Sequence, residues 1–105
     1  MAKIDGLGLG TWPFGGENWS HGWGPQDEFL SEKLIIEALH LGVEIIDTAP
    51  AYGLGKAEKI VGRALKKWNG TKPFISTKCG QKWLNKKFYV DLSPRFIRKE
   101  IEQSL

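Results

Sequence analysis

Apolar residues at Leu34, Ile35, Ala38, Leu39 and Leu41 are spaced to line one face of a helix, which predicts a helix over Ser31 to Leu41, closed by Gly42. The pattern then shortens to alternation. From Val43 to Asp47 a strand is predicted, with Val43, Ile45 and Asp47 on one face and Glu44, Ile46 and Thr48 on the other. Helical spacing returns over Ala57 to Trp68, where Ile60, Val61, Ala64, Leu65 and Trp68 form the stripe and Asn69-Gly70 ends it. A strand over Pro73 to Thr77 follows, placing Phe74, Ser76 and Lys78 on one face. Ser93-Pro94 is an N-cap followed by proline at the first helical position, and Phe96, Ile97, Ile101 and Leu105 continue a helical stripe behind it.

Ahead of these elements, Leu7-Gly8-Leu9-Gly10-Thr11 reads as a short strand whose missing side chains let a backbone or ligand approach closely. Two long loops remain, Trp12 to Gln26 and Cys79 to Leu92. The first is rich in tryptophan and glycine, a composition that marks a functional loop. The order strand, helix, strand, helix, strand, helix predicts an α/β fold with a parallel sheet and right-handed crossovers. Ligands in such folds sit at the carboxyl ends of the strands, where Thr11, Asp47 and Lys78 fall.

Composition narrows the class. A chain of 105 residues, 41% hydrophobic and 26% charged, is an ordinary globular sequence. The net charge of +3 is too small and too dispersed to be a nucleic-acid footprint. No apolar run reaches the length of a membrane span, and Met1 to Asp5 opens no signal-peptide core, so a cytoplasmic protein is expected. Cys79 is the single cysteine and has no internal partner for a disulfide.

The strand ends carry chemistry together. Tyr52 can give a proton to a carbonyl oxygen, although a free phenol, with a pKa of about 10, is a poor donor near neutrality. A lysine ammonium beside a phenol favours the phenolate and stabilises charge growing on a substrate oxygen, and Lys78 can fill that place. Asp47 on the adjacent strand is the carboxylate that keeps such an ammonium charged. Taken singly, each has a plainer reading: Asp47 as a turn residue, Tyr52 as packing, Lys78 as a solvated surface group. Their arrival at corresponding strand ends favours the chemical reading.

Other candidates carry less. His21 and His40 have no metal-ligand company at standard spacing, so no metal site is expected; His40 is read as surface packing and His21 as a loop residue within reach of substrate. Trp12, Trp19 and Trp23 either wall an apolar substrate pocket or fold their loop on itself. Cys79 is expected to be buried and inert on the face opposite Lys78, and Lys82, Lys86 and Lys87 to form a basic loop, either solvated or facing an anionic cofactor phosphate. Gly8-Leu9-Gly10 lacks the third glycine of a dinucleotide-binding fingerprint.

The run Gly42 to Gly62, with Asp47-Thr48-Ala49, Tyr52-Gly53, Glu58 and Gly62, resembles the first signature of the aldo-keto reductase family. Ser76-Thr77-Lys78 is similar to the family's lysine strand, Leu7 to Trp12 to its opening cofactor loop, and Leu92-Ser93-Pro94 to Leu105 to its third helix. The resemblance implies the first three β/α units of a (β/α)8 barrel, forming one partial domain over residues 1–105 with no second domain. It also implies reduction of aldehydes or ketones with NADPH, NADH remaining open, with Tyr52 as acid beside Asp47 and Lys78, and with Gly10, Thr11, Trp12 and Asp47 on the cofactor. Val43, Glu44 and Ala57 depart from the signature at positions outside this chemistry.

The family's catalytic histidine and phosphate loops belong to later strands, and such a barrel needs about 250 residues. The chain is therefore expected to be a fragment, inactive alone, whose open sheet edges invite self-association or complementation by another chain. Its rivals are a nucleotide-binding regulatory subunit of the same fold and a truncated remnant without function.

Overall fold

The computed structural model describes residues 6–105, so the reading of Met1 to Asp5 lies outside the described residues. Strands β1 (Gly8–Gly10), β2 (Ile45–Asp47) and β3 (Phe74–Ser76) form one parallel sheet in that order. Gly10 is level with Asp47, and Asp47 with Ser76. Helices α1 (Glu28–His40) and α2 (Lys56–Lys67) make the crossovers, as the alternating pattern predicts.

One face of the sheet carries the core. Ile46 is fully buried against Ile35 and Leu39 of α1 and Ile60, Val61 and Ala64 of α2. The other face is open: Ile45 and Phe74 are exposed. Alternation therefore holds for Ile45 and Ile46, whereas Val43 precedes the paired strand and is buried.

Helix α1 begins at Glu28 and not at Ser31. The Asp27 carboxylate accepts from the Leu30 amide at 2.9 Å and caps the first turn, and the Ser31 hydroxyl donates to the Asp27 carbonyl at 2.9 Å. The paired strands are also shorter than predicted, although Phe74 N still donates to the Glu44 carbonyl at 2.8 Å just before β2 begins.

The largest correction falls on Cys79 to Leu92, which is not a loop. Strands β4 (Gln81–Leu84) and β5 (Lys87–Val90) form an antiparallel hairpin, with Trp83 paired to Phe88 and a turn at Asn85 and Lys86. Both turn residues have positive φ, 50° and 60°, the sense that matches the twist of a two-residue hairpin. Helix α3 (Pro94–Ser104) starts at the predicted cap, the Ser93 hydroxyl accepting from Phe96 N at 3.3 Å. Its apolar stripe is covered only in part among the described residues: Phe96 and Ile97 are half-buried, Ile101 and Leu105 are exposed, and the buried residue is Glu100, whose carboxylate accepts from Gly80 N. No helix of the described residues is long and apolar enough to cross a membrane.

Candidate active site

The carboxyl ends of the three parallel strands converge through a set of short bonds. Thr11 leaves β1 fully buried, and both its amide and its hydroxyl donate to the Asp47 carbonyl at 3.0 Å. Thr48 N donates to the Ser76 carbonyl at 2.8 Å. These bonds fix the backbone that carries Asp47 and leave its side chain, about half exposed, facing the open side.

Lys78 closes the arrangement. Its Nζ donates to Asp47 Oδ1 at 2.9 Å, to Asp47 Oδ2 at 2.8 Å and to the Thr48 carbonyl at 3.0 Å, and it lies 5.1 Å from the centre of the Tyr52 ring. Partial burial pulls the Lys78 ammonium down, but hydrogen bonding with Asp47 and Tyr52 and the charge of the Asp47 carboxylate outweigh it, holding the group above its ordinary 10.5. The three residues chosen from the strand-end pattern thus meet.

Aromatic rings wall this triad. Tyr52 packs against Trp12 at 5.3 Å and Trp19 at 6.1 Å between ring centres, and Trp12 lies 5.8 Å from Trp19. The loop is also folded on itself, since Trp12 Nε1 donates to the His21 carbonyl at 2.7 Å and Trp19 Nε1 to the Gly16 carbonyl at 3.1 Å. Both readings of the tryptophans are realised for Trp12 and Trp19, while Trp23 stands 72% exposed and joins neither. His21 lies beside Trp12 and edge-on to Trp19, 6.1 and 6.3 Å between ring centres.

Elsewhere the structure sorts the minor candidates. His40 sits edge-on to Trp68 at 4.8 Å, the surface packing expected of it. Cys79 is exposed rather than buried: it stands beyond the end of β3, where no element among the described residues covers it. Lys82, Lys86 and Lys87 are exposed but belong to the hairpin, and Lys82 faces Asp91 at 3.9 Å. Among the described residues no three His, Cys, Asp or Glu side chains cluster as a metal site requires.

Sequence reasoning passed over three contacts. Trp19 links Tyr52 to Phe88 of the hairpin, 6.4 Å away, a contact no local periodicity encodes. Glu58, quoted only as a signature residue, accepts from the Thr77 hydroxyl at 2.7 Å. Gly15 and Gly53 meet backbone to backbone beneath Tyr52.

The residues also suit a flat, hydroxyl-bearing cofactor. A β-carbon on Gly10 would meet nothing within 4 Å, so the backbone beside Asp47 is open to close approach by a ring. The Asp47 carboxylate has lone pairs left after binding Lys78 and can accept from a ribose hydroxyl. Trp12, 39% exposed, offers a flank; Thr11 does not, its amide and hydroxyl both being bound to the Asp47 carbonyl.

Comparison with known proteins gives the family and the fold. The model of the Aldo/keto reductase family matches residues 6–105, and the chain belongs to that family of oxidoreductases. It is 40% identical to an NADH-specific methylglyoxal reductase of Escherichia coli over 94% of this chain and 33% of that enzyme. With an aldo-keto reductase of Bacillus subtilis the identity is 41%, over 94% and 29% of the two chains. Among solved structures, a glycerol dehydrogenase of Gluconobacter oxydans superposes with a TM-score of 0.80 at 40% identity, covering 99% of this chain and 34% of that one. The chain thus spans about a third of the length of these relatives, and its units β1–α1, β2–α2 and β3–α3 are the N-terminal part of a (β/α)8 barrel.

Proposed function

We propose that this chain supplies the proton-delivering end of a carbonyl reductase. The observation that carries the reading is the Lys78 ammonium, bound to both Asp47 oxygens and lying beside the Tyr52 ring. Tyr52 donates its hydroxyl proton to the oxygen of an aldehyde or ketone, and Lys78 stabilises the phenolate left behind. Asp47 keeps Lys78 charged and aimed, so the stabilising charge needs no reorganisation when the proton moves. Trp12 and Trp19 shield the phenol from water on its ring faces.

A reduced nicotinamide dinucleotide, when bound, supplies the hydride. Gly10, Trp12 and Asp47 are the residues that would hold it, with Thr11 fixing the backbone between them. The family resemblance implies NADPH with NADH left open, and a relative at 40% identity is named NADH-specific. Both cofactors are therefore offered in the test.

The test is a segment exchange. This chain replaces the matching N-terminal third of the Escherichia coli methylglyoxal reductase, and oxidation of NADH and NADPH is followed with methylglyoxal and with larger aldehydes. Turnover is expected, falling about a hundredfold or more in Tyr52→Phe while the protein stays folded. Undiminished turnover in Tyr52→Phe would remove the phenol from the mechanism.

A further inference from the structure

Thr77 and Lys78 are consecutive residues leaving β3, and their side chains depart in opposite directions. Lys78 turns to the open side and binds Asp47 and the Thr48 carbonyl. Thr77 turns to the helix layer, where its hydroxyl donates to Glu58 Oε1 at 2.7 Å. A hydroxyl and a carboxylate oxygen at that separation form a hydrogen bond of ideal length.

The placement of Glu58 gives the contact meaning. It stands in the first turn of α2, behind an N-cap, Gly55, that makes no side-chain cap bond. A glutamate three places past an N-cap commonly folds back onto the cap amide. Here one carboxylate oxygen is spent on the end of a strand instead. That end needs holding: β3 pairs only as far as Ser76, so the backbone from which Lys78 reaches across to Asp47 has already left the ladder.

We propose that Glu58 is a positioning residue for Lys78, tying Thr77 to α2 and so fixing the strand exit from which the ammonium reaches Asp47. The two contacts act as a brace, one on each side of the sheet, on consecutive residues. Its consequence for turnover rests on the reading of Lys78 given under the proposed function; the brace itself does not.

The experiment separates the two. In the 13C-labelled chain, the lysine ε-carbon signal that disappears in Lys78→Met is titrated with pH. Its midpoint in the parent is expected above the ordinary 10.5, to move down in Glu58→Ala and Thr77→Val, and to stay in Glu58→Gln and Thr77→Ser, which keep an acceptor and a donor. In the exchanged enzyme, Glu58→Ala and Thr77→Val should lose about tenfold in kcat with KM little changed, and Glu58→Gln should recover most of it.

A Lys78 midpoint unmoved in folded Glu58→Ala or, should that variant not fold, in the nearly isosteric Thr77→Val overturns the proposal. So does a loss in Glu58→Gln as large as in Glu58→Ala, which would assign the effect to charge and not to the bond. A midpoint that falls while turnover holds supports the brace and removes Lys78 from the reaction.

Discussion

Gly15 and Gly53 occupy each other's side-chain space: a β-carbon on Gly53 would lie 2.2 Å from the Gly15 carbonyl oxygen, and one on Gly15 would lie 2.6 Å from Gly53 N. The contact locks the tryptophan loop to the turn carrying Tyr52, and Gly53 adds a positive φ of 65° that disfavours any side chain. Gly53→Ala should therefore cost about 1–3 kcal/mol in a urea melt and displace Tyr52. Gly62→Ala, in a helix with nothing within 4 Å of its new methyl, should not destabilise the chain. Equal stability of the two variants would deny the lock.

Gly10 poses the opposite case. A methyl there meets nothing in the protein, so Gly10→Ala should melt with the parent. If a nicotinamide ring approaches that backbone, the same methyl should weaken cofactor binding in the exchanged enzyme about tenfold, near 1.4 kcal/mol, as read by fluorescence titration. Unchanged affinity would move the ring elsewhere.

Lys78 sets an alkaline limit. Its folded pKa is raised, so its contribution to stability is fully present below 10.5 and is lost as pH rises through the higher folded value. With its side chain about half exposed the effect is screened and small. The melting temperature of the parent should fall more steeply above pH 10.5 than that of Lys78→Met.

The acid limit lies between the helices. Arg63 bridges Glu28 at 2.9 Å and Glu32 at 3.2 Å, Lys56 reaches Glu28 at 3.4 Å, and Lys67 binds Glu32. The hydrogen bond from Arg63 chiefly lowers Glu28, and that from Lys67 chiefly lowers Glu32. Depressed carboxylates stabilise above their unfolded value, 4.5, and lose that contribution as pH falls through the folded one. Glu32→Gln should flatten the decline of the melting temperature below pH 4.5; a decline as steep as the parent's would place the acid sensitivity elsewhere.

The hairpin turn carries residual strain. Asn85 tolerates a left-handed conformation, but Lys86 at φ 60° does so at a cost. Lys86→Gly creates the preferred turn sequence and should add about 1 kcal/mol, seen as a higher urea midpoint at constant slope.

Periodicity carried the reading of the core because Ile35, Leu39, Ile60 and Val61 are buried for the same reason they are evenly spaced. Strand alternation likewise brought Asp47 and Lys78 to one rim. It said nothing of Phe29 and Leu30, apolar but exposed, so the start of α1 stayed hidden although Asp27 was there as a cap. The hairpin escaped because Asn85-Lys86 lacks the glycine that marks such turns, and because Trp83 and Phe88 face inward amid charged neighbours. The meeting of Trp12, Trp19 and Tyr52 is a contact between loops, and loops have no period to read.

Of the five tryptophans, Trp19 alone is buried, wedged between the phenol of Tyr52 and the hairpin's Phe88. Its indole is therefore a built-in optical gauge: the blue edge of the emission spectrum reports the seating of the first loop against the acid. A ligand or solvent that pries that loop away should redden the edge before the chain as a whole comes apart.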